Sequence, residues 1–167
     1  MLEFNFLVLF CASIVPLLVG FVWYNPRLFG KIWMESVGIE ENASSNTRLF
    51  KIFALTFVLS YIYAIALQFQ VIHQLHFQSM FLNEIGFKEG QGTAFQDFKF
   101  IMTKYGDNFR TFKHGAFHGF LNSLFIVLPI VAINAIFEMK SWKYILINIG
   151  FWMISMILMG GIICQFT

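Results

Sequence analysis

The stretch GFVWYNPRLFGKIWMESVG, residues 20–38, closes a long apolar run with Trp23, Tyr24, Asn25 and Pro26 and then resumes as a shorter, charged segment. Paired aromatic residues mark the boundary between a membrane and water. Asn25 can cap a helix, and Pro26 suits a first helical turn, where a missing N–H costs nothing. From there Leu28, Phe29, Ile32, Trp33 and Val37 fall on one helical face and Arg27, Lys31 and Glu35 on the other, with Gly38 able to end the helix. That order describes a chain that leaves a lipid bilayer and lies down on its surface, anchored by Trp23, Tyr24 and Trp33. An ordinary tight loop is the plainer alternative.

Composition supports the membrane reading. The chain of 167 residues is 58% apolar, 19% aromatic and 12% charged, against roughly 45–50% apolar and about 25% charged in globular proteins. Four segments carry no Asp, Glu, Lys or Arg: Phe4 to Val22, Ile52 to Val71, Phe117 to Phe137 and Tyr144 to Ile163. Each holds about 20 residues, which at about 1.5 Å per residue crosses a hydrocarbon layer of roughly 30 Å. The predicted fold is an all-α, polytopic membrane protein forming a single domain. Its spans are about 4–24, 50–73, 114–137 and 144–164, with an interfacial helix at about 26–37 and an extramembrane cap at about 77–113. Trp142 stands at the start of the fourth span as a further interface anchor.

A cleaved leader is not indicated, because MLEFNFLVLF carries Glu3 and no basic residue and its apolar stretch is too long. Phe10 before Cys11 is wrong for lipoprotein acylation, and Cys11 and Cys164 both sit in apolar helices as packing residues. The net charge of +2 is spread over the loops and leaves no nucleic-acid footprint. With an even number of spans, both termini share a side with the second connection. The first and third connections hold Arg27, Lys31, Arg48, Lys51, Lys140 and Lys143 in short loops, against Lys88, Lys99, Lys104, Arg110 and Lys113 in the second. The positive-inside rule thus leans toward termini outside.

Between the spans, IEENASSNTR reads as a connector in which Asn46 or Thr47 caps the second span. In the second connection Thr93 can cap a helix carrying Phe95, Phe98, Met102 and Tyr105, closed by Gly106, and a short helix is expected around Met80 to Ile85. EMKSWK makes a hairpin of the last two spans. Pro16 and Pro129 should bend their helices.

No charge lies inside a span, which removes the usual mark of a pump or ion path. Asn122, Asn134 and Asn148 could bond between helices or, in a small-solute carrier, line a cavity near the midplane. Gly115 and Gly119 form a G-x-x-x-G suited to close helix packing, within the chain, with a second copy in a homo-oligomer or with another membrane protein. No G-x-S-x-G, H-E-x-x-H or intramembrane carboxylate pair speaks for an enzyme.

The sharpest constellation is histidine. His73 and His76 leave the second span, His114 and His118 begin the third, and the chain has no other histidine. Spacings of three and four residues put each pair on one helical face, at the same membrane surface. Two such pairs could hold Zn²⁺, with Glu84, Asp97 or Asp107 as substitutes or outer partners, or His73 and His114 could hold a haem. Alternatively they are interfacial polar residues bonded to Gln70, Gln74, headgroups or water.

Three segments, WYNPRLFGKIWM, LSYIYA and AINAIFEMKSWKYILINIGFWMISMILMGGI, give most of the chain a resemblance to a family of small bacterial membrane proteins, the domain of unknown function seventeen sixty-one. The resemblance implies four spans in a bacterial cell membrane, with no established activity, cofactor or site residue to carry over. The resulting functional expectation is a non-enzymatic membrane module that self-assembles or binds a partner, with a small-solute carrier or a metal-binding protein as the alternative.

Overall fold

A computed structural model of the chain describes residues 4–39 and 46–167, among which every regular element is helical. In chain order these are α1 (Phe6–Trp23), α2 (Gly30–Val37), α3 (Asn46–Val71), α4 (His73–Ser79), α5 (Gly92–Tyr105), α6 (Phe112–Asn122), a π-helical turn (Ser123–Val127), α7 (Leu128–Phe137) and α8 (Trp142–Phe166). Four helical spans are long and apolar enough to cross a membrane: Phe6–Trp23, Arg48–Val71, the composite Phe112–Phe137 and Trp142–Phe166. Leu7, Phe21 and Phe50 stand more than 70% exposed on these spans, an arrangement that suits lipid tails and that water would oppose.

The most apolar window of α8 is 50% buried, against 28%, 22% and 17% in the first three spans, so α8 is the axis of the bundle. Small residues explain why it can be. A Cβ on Gly115 would collide with the Gly160 carbonyl, and one on Gly119 with the Met156 carbonyl. Thus α6 and α8 meet backbone to backbone. The Phe112 ring covers Gly161, and the Trp23 indole lies over Gly150, where an added Cβ would stand 2.6 Å from Cζ2. Apolar burial gives little drive in lipid, so dispersion at such close approaches is a main source of cohesion. Leu9, Ala12 and Val15 of α1, Ala64, Leu67 and Val71 of α3 and Met159 and Ile163 of α8 complete this core.

Hydrogen bonds fasten the two ends. Asn5 Oδ1 accepts from Val8 N and caps α1, while its Nδ2 donates to Phe166 O at the end of α8. At the opposite end Trp23 Nε1 donates to Ile147 O at 3.0 Å, and Tyr24 OH donates to Asn148 Oδ1 at 3.1 Å. Burial, and secondarily Tyr144, pushes the Tyr24 phenol well above its usual pKa, which keeps it a donor. Trp23 and Tyr24, expected as interface anchors, pack onto α8, while Trp142 is 70% exposed.

Several boundaries differ from the sequence expectation. The interfacial helix begins at Gly30, because Asn25 Oδ1 accepts from Arg27 N to close a turn and Asn25 O accepts from Leu28 N and Gly30 N. Gly30 is pressed under the Tyr24 and Asn25 carbonyls, where no Cβ fits. Gly38, at φ +75°, ends α2. The short helix of the second connection is α4 at His73–Ser79; Met80 to Ile85 forms turns instead. Helix α5 starts at Gly92 with Gln91 in the capping position, so Thr93 lies within it. Phe77, Phe81, Phe87, Phe95 and Phe98 stack into a small aromatic core of the cap. Pro129 follows the π turn that interrupts the third span, a place where a missing N–H is tolerated. The Asn46 and Thr47 side chains lie outside the described residues.

The α6–α8 contact predicts a contrast between two glycines. Gly119→Leu forces backbones apart and should cost more than about 3 kcal/mol, beyond ordinary overpacking. Gly38→Ala, with open space around it but a positive φ, should cost about 1 kcal/mol. Thermal unfolding in detergent micelles measures both, and equal midpoints for Gly119→Leu and wild type would contradict the packing described.

Candidate metal centre

Thr111 starts α6: its Oγ1 accepts from His114 N at 3.2 Å. His114 and His118 each precede one of the two glycines that face α8. At 3.6 residues per turn the histidines therefore sit about 100° around the helix from that contact, on the side toward the end of α3. There the chain breaks at Ile72, whose φ of −106° and ψ of 90° interrupt the helix while its side chain stays buried. The break frees the Val71 carbonyl, which accepts from Cys164 Sγ at 3.6 Å. Helix α4 then begins on His73.

Three imidazoles converge at this junction. His73 Nε2 lies 3.0 Å from His114 Nε2, so one of the two is the protonated donor and the other a bare acceptor. Ring centroids stand 5.1 Å apart for His73 and His114, 4.8 Å for His73 and His118, and 4.5 Å for His114 and His118. One nitrogen from each of the three lies within 4.8 Å of the others. His73 is exposed and the other two are half-buried, which places the group on the rim of the bundle.

The surroundings hold these rings in place. Gln74 Nε2 donates to the Gly106 and Asn108 carbonyls, both at 2.9 Å, and ties α4 to the loop before α6. Cys164 Sγ also lies 3.2 Å from Phe109 O, and Phe112 N donates to Gln165 Oε1 at 2.9 Å. Phe109, at φ +64°, lays its ring 5.0 Å from that of His114. Asn122 Nδ2 donates to Gln70 Oε1, linking α6 to α3 below the histidines. A cavity of about 240 Å³ opens beside His73, walled by Gln74, Phe77, Met102, Tyr105 and Phe109.

The expected quartet is thus a triad. His76 stands apart, its ring beside Phe69 at 6.5 Å, and Glu84, Asp97 and Asp107 do not join the group. Gln70 and Gln74 spend their amides on Asn122 and on loop carbonyls, which weakens the reading of the histidines as partners of those glutamines. A haem does not fit between His73 and His114, since a macrocycle needs its axial nitrogens on opposite faces and these are 3.0 Å apart. The three asparagines proposed for a solute cavity part ways: Asn122 meets Gln70, Asn148 bonds Tyr24 and Tyr144, and Asn134 is exposed. Three ring nitrogens this close could hold a transition-metal ion such as zinc, which binds imidazole at about 2.0–2.1 Å. Sequence reasoning missed Ile72 and Cys164, because nothing local marks a helix break in LQFQVIHQL or a thiol aimed at a carbonyl 55 residues away.

Comparison with curated proteins and with solved structures returns no match. The model of a family described as protein of unknown function (DUF1761) matches residues 7–164, nearly the whole chain. By that match the chain belongs to the DUF1761 family.

Proposed function

We propose that this protein is a non-enzymatic membrane module whose partner is a divalent transition-metal ion, zinc foremost, captured at one membrane surface by His73, His114 and His118. The observation that carries the reading is the convergence of three imidazoles from two helices within 4.8 Å. Imidazole suits zinc, copper and nickel, and three such ligands leave a position for water or an incoming ligand. Among the described residues no carboxylate joins the group, and the reading proposed is one of binding. The glycine face that could have served a second copy is occupied by α8, which is why the partner is taken to be the ion. By the lean of basic residues the histidine rim lies on the outer side of a bacterial cell membrane, together with both termini.

Purified protein in detergent should hold about one equivalent of zinc by elemental analysis, and a wild type with no stoichiometric metal would defeat the reading. Loss of an outer partner alone weakens metal sites about 10–100-fold, so His114→Ala combined with His118→Ala should exceed that loss, while His76→Ala leaves affinity unchanged. Binding should also respond to pH in one direction. Only the neutral ring is a ligand, so protons compete with zinc for the three nitrogens and affinity falls as pH drops. Calorimetric titration at about pH 7.5 and about pH 5.5 checks this.

A further inference from the structure

At the opposite end of the bundle, α1 and α3 separate. Near Asn5 they pack through Leu9, Ala12, Ala64 and Leu67, but toward α2 they diverge around a cavity of about 680 Å³, within the usual size range of ligand sites. Pro16 closes its deep end, Phe53 and Trp152 form its walls, and Tyr24, Asn25 and Trp33 form its mouth. Gly20 keeps one wall free of side chain, and a Cβ there would still stand 3.5 Å from Phe151. From Pro16 to Tyr24 the helix rises about 12 Å, close to the depth of one hydrocarbon leaflet.

The mouth is polar, with cations adjacent to it in the chain. Trp33 Nε1 is buried and has no hydrogen-bond partner among the described residues. No charged side chain lines the cavity, but Arg27 follows the mouth residue Pro26, Lys51 precedes the lining residue Ile52 and Lys31 sits on the first turn of α2; all three are exposed, and with Glu35 of α2 as the acidic neighbour the cations exceed it three to one. An apolar slot one leaflet deep, with an N–H unpartnered among the described residues at its mouth and cations adjacent to it in the chain, matches the two ends of a single molecule. We propose that this groove holds one acyl chain of an anionic phospholipid from the adjoining leaflet. Arg27, Lys31 and Lys51 attract its phosphate, and Trp33 Nε1 donates to one of its headgroup or ester oxygens. A neighbouring protein helix would fill the slot without answering the charge or the bare N–H.

The test uses the full chain in phosphatidylcholine nanodiscs doped with photoreactive phosphatidylglycerol or, in a parallel arm, photoreactive phosphatidylcholine carrying the same diazirine-bearing acyl chain. Cross-links read by mass spectrometry should concentrate on Pro16 to Tyr24 and Leu49 to Thr56. The glycerol lipid should be favoured by about fivefold for each cation engaged, the gain expected of a basic residue near a surface. Gly20→Leu should abolish the focused cross-link. Arg27→Gln, Lys31→Gln and Lys51→Gln together, which alter only exposed side chains, should bring the two lipids to equal yield. Cross-links spread evenly along α1 and α3, equal yields in wild type, or replacement of the lipid adduct by a cross-linked dimer would each overturn the proposal. Zinc binding at the far end is independent, so His114→Ala with His118→Ala should cross-link like wild type.

Discussion

The backbone contact of Gly115 and Gly119 with Gly160 and Met156 governs the arrangement of the other helices. Two helices can approach this closely only where the residues pressed against the partner's carbonyls lack a Cβ, and Gly115, Gly119 and Gly160 meet that condition while Met156 offers its carbonyl to Gly119. The approach fixes the rotation of α6 about its axis as well as its distance from α8. Because His114 and His118 are each one residue before a glycine, fixing that rotation directs both imidazoles toward the end of α3. The same backbone contact that holds α6 against α8 therefore turns two imidazoles toward a third.

The third ligand depends on an irregularity. An unbroken second span would carry His73 around its axis as one more helical residue. The break at Ile72 instead buries that side chain and restarts the helix at His73. Open carbonyls at a broken helix end are costly at the edge of a membrane unless they find donors. Val71 O takes the Cys164 thiol, and Gln74 binds the neighbouring loop at two carbonyls. These bonds run from α8 to the end of α3 and from α4 to the loop before α6, so the break is held from both sides.

The two ends of the bundle differ in how they are closed. At the histidine end, helices α1, α3 and α8 pack on Leu67, Val71 and Ile163, and Gln74, Asn122 and Cys164 bond between elements, while the buried Gln68 amide has no partner among the described residues. At the α2 end, aromatic residues of α1 lean on α8 through Trp23 and Tyr24, which draws α1 toward the axis and away from α3 and leaves the apolar slot. A single requirement, that small residues let α8 serve as common axis, leaves three imidazoles together at one end and an apolar cavity at the other.

The sequence alone determined the membrane class, the four spans, the interfacial helix ended by Gly38 and the grouping of histidines at one surface, because these follow from lengths of apolar chain, from helical period and from which loop joins which helix. Tertiary structure decided that His76 stands apart, that Ile72 breaks the second span and that the cap helix is α4. It also decided that Asn122, Asn134 and Asn148 face different surroundings and that the glycine pair is satisfied within the chain. Those outcomes depend on rotation about helix axes and on which carbonyl meets which donor. Such quantities are set by contacts between residues far apart in the chain, Cys164 with Val71 or Gly115 with Gly160, and local period and composition carry no record of them.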